Sequence, residues 1–138
     1  VRRSFCWMLV CLWGCSHPAE GPERHRITGH VTFDGKPVPF GSVIFDPDVS
    51  AGNSGPQGAA NIVNGQFDTA ARGGRGASGG STLITVTGMT KAAALEGEDP
   101  GLLFTDYQIK RDLGKEGAVI EIDVPADAGR SKAFSPRR

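Results

Sequence analysis

Cysteine and tryptophan are missing from almost the whole of this chain: none follows Cys15 and Trp13, and tyrosine occurs once, as Tyr107. The residues beyond position 15 can therefore build neither a disulfide-stapled scaffold nor a cysteine zinc site. Excess charge is missing too, with 15 Lys plus Arg against 15 Asp plus Glu. That balance removes the electrostatic argument for nucleic-acid binding or for a basic membrane-surface protein. No apolar run reaches the roughly 20 residues that a membrane-spanning helix needs. In their place are 20 glycines in a length of 138 residues, enough for one domain.

Arg2 and Arg3 precede an apolar run over residues 4–14. It is too short to span a bilayer and shows no polar face, and its basic flank fits the first two regions of a bacterial secretory signal. The run ends Leu12-Trp13-Gly14-Cys15, which resembles the lipobox of bacterial lipoproteins. A thiol carries the diacylglycerol thioether, while a small residue before it admits the signal peptidase. The expectation is a signal peptide over residues 1–14, with Leu12 and Gly14 as recognition residues and Cys15 as the lipidated residue. Trp13 departs from the small or β-branched residues usual at its place. Loss of Arg2 and Arg3 gives the mature chain a net charge of −2. Two or three acyl chains, each buried methylene contributing about 0.8 kcal/mol, make such an anchor effectively permanent. Ser16 stands where an inner-membrane retention Asp would, which favours the outer membrane by the same resemblance.

Residues 16–26 lack apolar periodicity and contain two prolines, and are expected to form a tether of roughly 17 to 20 Å. From Ile27 the pattern changes to period two: Ile27, Val31 and Phe33 fall on one face, Thr28, His30 and Thr32 on the other. Asp34-Gly35-Lys36-Pro37 reads as a turn, with residues 41–46 as the next strand. Asn64-Gly65 signals a two-residue hairpin that places Val63 opposite Gln66 and Ile62 opposite Phe67. Further strands are expected over residues 82–87, 107–113 and 118–124. Only residues 91–96 have helix-forming composition, with Thr90 as an N-cap and Gly97 as a stop. These elements predict an all-β domain over residues 27–125, an antiparallel β-sandwich of about seven strands with a thin core. Residues 47–59 and 70–80 are expected to be mobile, and residues 126–138 to fray as a flexible tail.

Three patterns bear on chemistry. Gly74-Arg75-Gly76-Ala77-Ser78-Gly79 matches the G-x-G-x-x-G string of dinucleotide sites, but the β-branched residues after it predict a strand where that site needs a helix. Asp46, Asp48 and Ser50 alternate as calcium-loop ligands do, making Asp46 and Asp48 weak metal candidates. The loop's glycine comes one residue late, and Gln57 stands where a closing Glu should. His17, His25 and His30 are not at chelating helical spacing. No cofactor and no enzymatic activity are expected from these patterns.

Residues 27–39 (Ile-Thr-Gly-His-Val-Thr-Phe-Asp-Gly-Lys-Pro-Val-Pro), followed by Gly41-Ser42-Val43-Ile44-Phe45, resemble the opening of planctomycete-type small lipoproteins with a carboxypeptidase regulatory-like, or transthyretin-like, domain. Asn64-Gly65-Gln66-Phe67, residues 80–86 and Val124-Pro125 resemble later parts of that domain. The resemblance covers about 100 residues and implies a prealbumin-like or Ig-like sandwich on an exported, non-catalytic lipoprotein. Partners would be membrane lipid through Cys15, and an envelope protein or glycan bound through loops or a strand edge. A carbohydrate- or peptide-binding module is one alternative, although the lack of tryptophan argues against sugar stacking. Hydroxyisourate hydrolases of the wider group share a His-Val like His30-Val31. They end in Tyr-Arg-Gly-Ser, whereas this chain has Ser135-Pro136-Arg137-Arg138.

Overall fold

The computed structural model describes residues 22–91, 99 and 101–130. The expected signal sequence, Cys15, most of the tether, the helix-forming residues 92–96 and the tail beyond Arg130 lie outside the described residues. The described chain is all-β, with eight strands in one curled sheet. They are β1 (Ile27–Phe33), β2 (Lys36–Pro37), β3 (Phe40–Pro47), β4 (Gly58–Val63), β5 (Gln66–Asp68), β6 (Gly80–Met89), β7 (Leu102–Leu113) and β8 (Ala118–Val124).

Two tight turns set the local register. Asp34 and Gly35 take φ of 51° and 73°, and Asn64 and Gly65 take 50° and 76°. This left-handed pair gives a two-residue hairpin the twist of its strands, and Asn, Asp and Gly tolerate it best. The second turn delivers the expected pairs, Val63 with Gln66 and Ile62 with Phe67. Ile62 and Phe67 are both buried.

β4, β3, β6 and β7 follow as an antiparallel array, while β1 joins β5 and β2 along one edge and β8 along the other. Period-two alternation sends Val43 and Phe45 from β3, Ile84 and Val86 from β6, and Ile27 and Val31 from β1 into one core. Curling of the sheet brings Phe33 on β1 to within 5.1 Å of Phe104 on β7, ring centre to ring centre. Phe104 in turn meets the edge of Tyr107 at 6.5 Å.

The expectation of a purely antiparallel sheet is corrected at one place: β8 runs parallel to β1, in register from Ile27 with Ala118 to Phe33 with Val124. A parallel neighbour needs a long crossover. Here nearly the whole domain is that crossover, and the inward positions Ile120, Ile122 and Val124 would be the same for either strand direction. β6 and β7 are also longer than their apolar cores imply. β7 starts at Leu102 and carries two irregularities, with Asp106 at φ 52°. The segment expected to be mobile after β3 contains a 3-10 turn at Val49–Ala51, and Arg75 and Ala77 pair with Ala59 and His25 as isolated bridges. The first part of the expected tail forms a 3-10 turn, Ala126–Arg130, that packs on β7.

Gly29, in mid-β1, has no room for a side chain: a methyl group there would overlap the Ile120 carbonyl oxygen and the Phe67 ring. Gly35 has open space but a positive φ. Gly29→Ala is expected to cost about 2 to 3 kcal/mol by overpacking, against about 1 kcal/mol for Gly35→Ala from backbone conformation alone. Urea-denaturation midpoints of the two variants check this order.

Candidate functional site

The most connected polar cluster forms where β3 ends. Asp48 caps the 3-10 turn and accepts from the Ser50 amide at 3.0 Å and the Ser50 hydroxyl at 2.5 Å, both at Oδ1. Its Oδ2 accepts from Lys110 Nζ at 2.8 Å, reaching over from β7. Only 9% of Asp48 is exposed. The Lys110 ammonium first, then the Ser50 hydroxyl, hold the Asp48 carboxyl down at about 2, against the opposing effect of burial. Asn53 fixes the rest of the loop by donating from Nδ2 to the carbonyls of Gly79, at 3.1 Å, and Ser81, at 2.7 Å.

The alternating oxygens that suggest calcium are thus already engaged. Asp48 holds Lys110, and Asp46 Oδ1 accepts from Gln57 Nε2 at 2.7 Å, so the residue standing for the missing Glu is a donor to its neighbour. Among the described residues no three His, Cys, Asp or Glu side chains gather as metal ligands. The glycine string also lacks its phosphate cradle, because β6 follows it directly. Overlapping it, Gly76-Ala77-Ser78-Gly79-Gly80 spells G-x-S-x-G, which corrects the expectation that the chain holds no such nucleophile motif. A nucleophile elbow requires a strand, a turn and a helix, and a strand follows here.

A second cluster fastens the start of the domain. Arg24 Nη1 donates to the carbonyls of Gln57, at 2.9 Å, and Gly76, at 2.7 Å. His25 exchanges two backbone hydrogen bonds with Ala77. Arg26 grips Asp68 with two nitrogens, Nε donating to Oδ1 at 3.0 Å. This pairing lowers the Asp68 pKa, helped by the Ala70 amide, and raises that of Arg26. Residues 24–26, assigned to the tether by composition, are therefore tied to the sheet.

Clefts indent the surface of the described residues. One of about 430 Å³ lies beside Arg26, Thr28 and Glu116, where the Arg26 guanidinium is committed to Asp68. One of about 290 Å³ is lined by Phe33, Pro37, Pro39 and Leu103. Another of about 290 Å³ lies between β7 and the final 3-10 turn. His30, Asp46 and Asp48 line none of these three, and His30 is exposed on the outer face of β1. Leu12, Gly14 and Cys15 lie outside the described residues.

Compared with protein-family models, with curated proteins and with solved structures, the chain matches none. Among the described residues no helix is long and apolar enough to cross a membrane.

Because the folded Asp48 has a pKa below its unfolded value, the stability it adds is complete above pH about 4 and is lost as pH falls towards about 2. Lys110→Met removes the largest cause of that depression. Carboxyl carbon NMR should then show Asp48 titrating nearer the ordinary aspartate range, with acid unfolding starting at higher pH. Added Ca²⁺ is expected to leave the melting temperature of the unaltered protein unchanged, since binding at Asp48 would have to displace Lys110; a clear rise would restore the calcium reading.

Proposed function

We propose that the chain is an exported, lipid-anchored β-domain that acts at the cell envelope by binding rather than by catalysis. In this reading residues 1–14 are a signal peptide, Cys15 carries the lipid, and the curled sheet is a prealbumin-like sandwich held near the membrane. The observation that carries it is the series Arg2-Arg3, short apolar run, Leu12-Trp13-Gly14-Cys15, which resembles a secretory signal ending in a lipobox, Trp13 being its one departure. The clamps of Arg24 and Arg26 on the sheet support a linker of only eight residues, 16–23, between lipid and domain. Such a linker would keep the sheet within roughly 14 to 17 Å of the bilayer on average. The exposed position of His30, away from the three clefts, favours a binding role over the hydrolase alternative.

Metabolic labelling with a fatty-acid probe tests the anchor. The unaltered chain should be labelled and partition with membranes, and Cys15→Ser should lose both properties. Labelling that survives Cys15→Ser would refute lipidation at this residue.

A further inference from the structure

Strand order leaves β7 at one end of the sheet and β8 at the other. β7 is poorly shaped for a further strand. Asp106 breaks its course at φ 52°, its register shifts twice against β6, and Gly129 of the final 3-10 turn lies so close that a side chain there would meet the Leu103 carbonyl. β8 is regular: it pairs with β1 over its full length without a shift and contains neither glycine nor proline. In this parallel ladder Ala118 donates to the Arg26 carbonyl and the Val124 carbonyl accepts from Asp34, so Ala118, Ile120, Ile122 and Val124 turn their backbone groups to β1. Those of Val119, Glu121 and Asp123 point to the free edge. All three residues are exposed, and among the described residues nothing hydrogen-bonds to these backbone groups.

We propose that the free edge of β8 takes an additional antiparallel strand from another protein, a strand whose side chains alternate between apolar and basic. The inference rests on the binding role proposed above and gives it a surface and a partner class. The apolar half of the pattern follows from the core. Ile27, Val31, Val43, Phe45, Ile84 and Val86 on β1, β3 and β6 are wholly buried. Ala118 and Ile120 on β8, and Tyr107 and Ile109 on β7, pack against the same core yet are only half-buried. Further along β8, Ile122 and Val124 are sealed again. The core is therefore open beside the first half of β8, where the inward side chains of an added strand would cover it.

The basic half follows from charge. The outer row of β8 is Val119, Glu121 and Asp123, and β8 carries no lysine or arginine. Their partners on β1 are Thr28, His30 and Thr32, of which the Thr32 hydroxyl donates to Asp123. Glu121 has no ion pair among the described residues. Opposite charges on directly facing strand residues stabilise a sheet and like charges destabilise it, so the outward positions facing Glu121 and Asp123 call for lysine or arginine. A second copy offering the same edge would instead bring four carboxylates together, two from each chain. Residues 131–138 of this chain do not supply the pattern either: a strand would put Lys132 and Phe134 on one face, and Pro136 interrupts the ladder. Antiparallel addition is the more stable direction, and in it Val119, Glu121 and Asp123 each exchange two hydrogen bonds with the residue they face.

The probe is the capped peptide Thr-Lys-Val-Lys-Val-Lys-Thr added to the full chain, with amide hydrogen exchange as the readout. In the free protein the amides of Val119, Glu121 and Asp123 should exchange fast, and the peptide should slow all three at least about tenfold. Because its lysines are the residues that face β8, N-methylation of the lysines should abolish this protection, whereas N-methylation of the valines should preserve it. Glu121→Lys should weaken peptide binding about tenfold. Asn61→Lys combined with Val63→Lys adds the same charge at exposed positions on β4 and should change binding by no more than about twofold. Melting temperatures establish that both variants are folded. Unchanged exchange at about 1 mM peptide, protection that survives N-methylated lysines, or equal weakening by the β4 variant would overturn the proposal. Fatty-acid labelling at Cys15 is read separately, so the strand site and the anchor can each fail while the other stands.

Discussion

The structure depends on β1 having a partner along each edge and a close neighbour over its middle. Thr32 and Phe33 pair with β2, Thr28 to His30 pair with β5, and the whole strand pairs with β8. This position leaves Gly29 under the Phe67 ring and against the Ile120 carbonyl, where only hydrogen fits. The Thr32 hydroxyl adds a 2.7 Å bond to the Asp123 carboxylate on β8, joining residues 91 apart. Through β1 the last strand of the domain is held by the first. The core residues Ile122 and Val124 are thereby set beside Val31.

With β1 joining the first and last strands, the connections are fastened to the sheet by side chains as well. Asp48 fastens the β3–β4 connection to β7 through Lys110, Asn53 fastens it to the start of β6, and Arg24 fastens it to the start of the domain. Loops pinned by their own side chains offer little to an adaptable ligand site. Flat sheet faces, by contrast, are presented in a fixed geometry.

Features encoded within a few residues were legible in the sequence. Asn64-Gly65 specifies a turn whose backbone few other pairs adopt, so the contact of Ile62 with Phe67 follows from position alone. Alternation likewise exposes the wet face of β1 and the inward set of β8. Features made by distant residues were not legible. Lys110 is 62 positions from Asp48, and without it the Asp46 to Ser50 pattern resembles a cation loop. The parallel direction of β8 leaves no trace in its own alternation. The cross-strand row of Val63, Phe40, Met89 and Leu102 exists only after three registers are set, because each member looks like an ordinary strand-end residue by itself. Residues 24–26 lack periodicity and read as linker, yet their guanidinium and backbone groups find partners up to 52 positions away.

Native-state hydrogen exchange tests the central role of β1 most directly. If β1 holds both ends of the domain, its amides and those β8 amides that face it should exchange together, at the slow limit set by global unfolding. Fast, independent exchange of β8 while β3 and β6 stay protected would contradict that role.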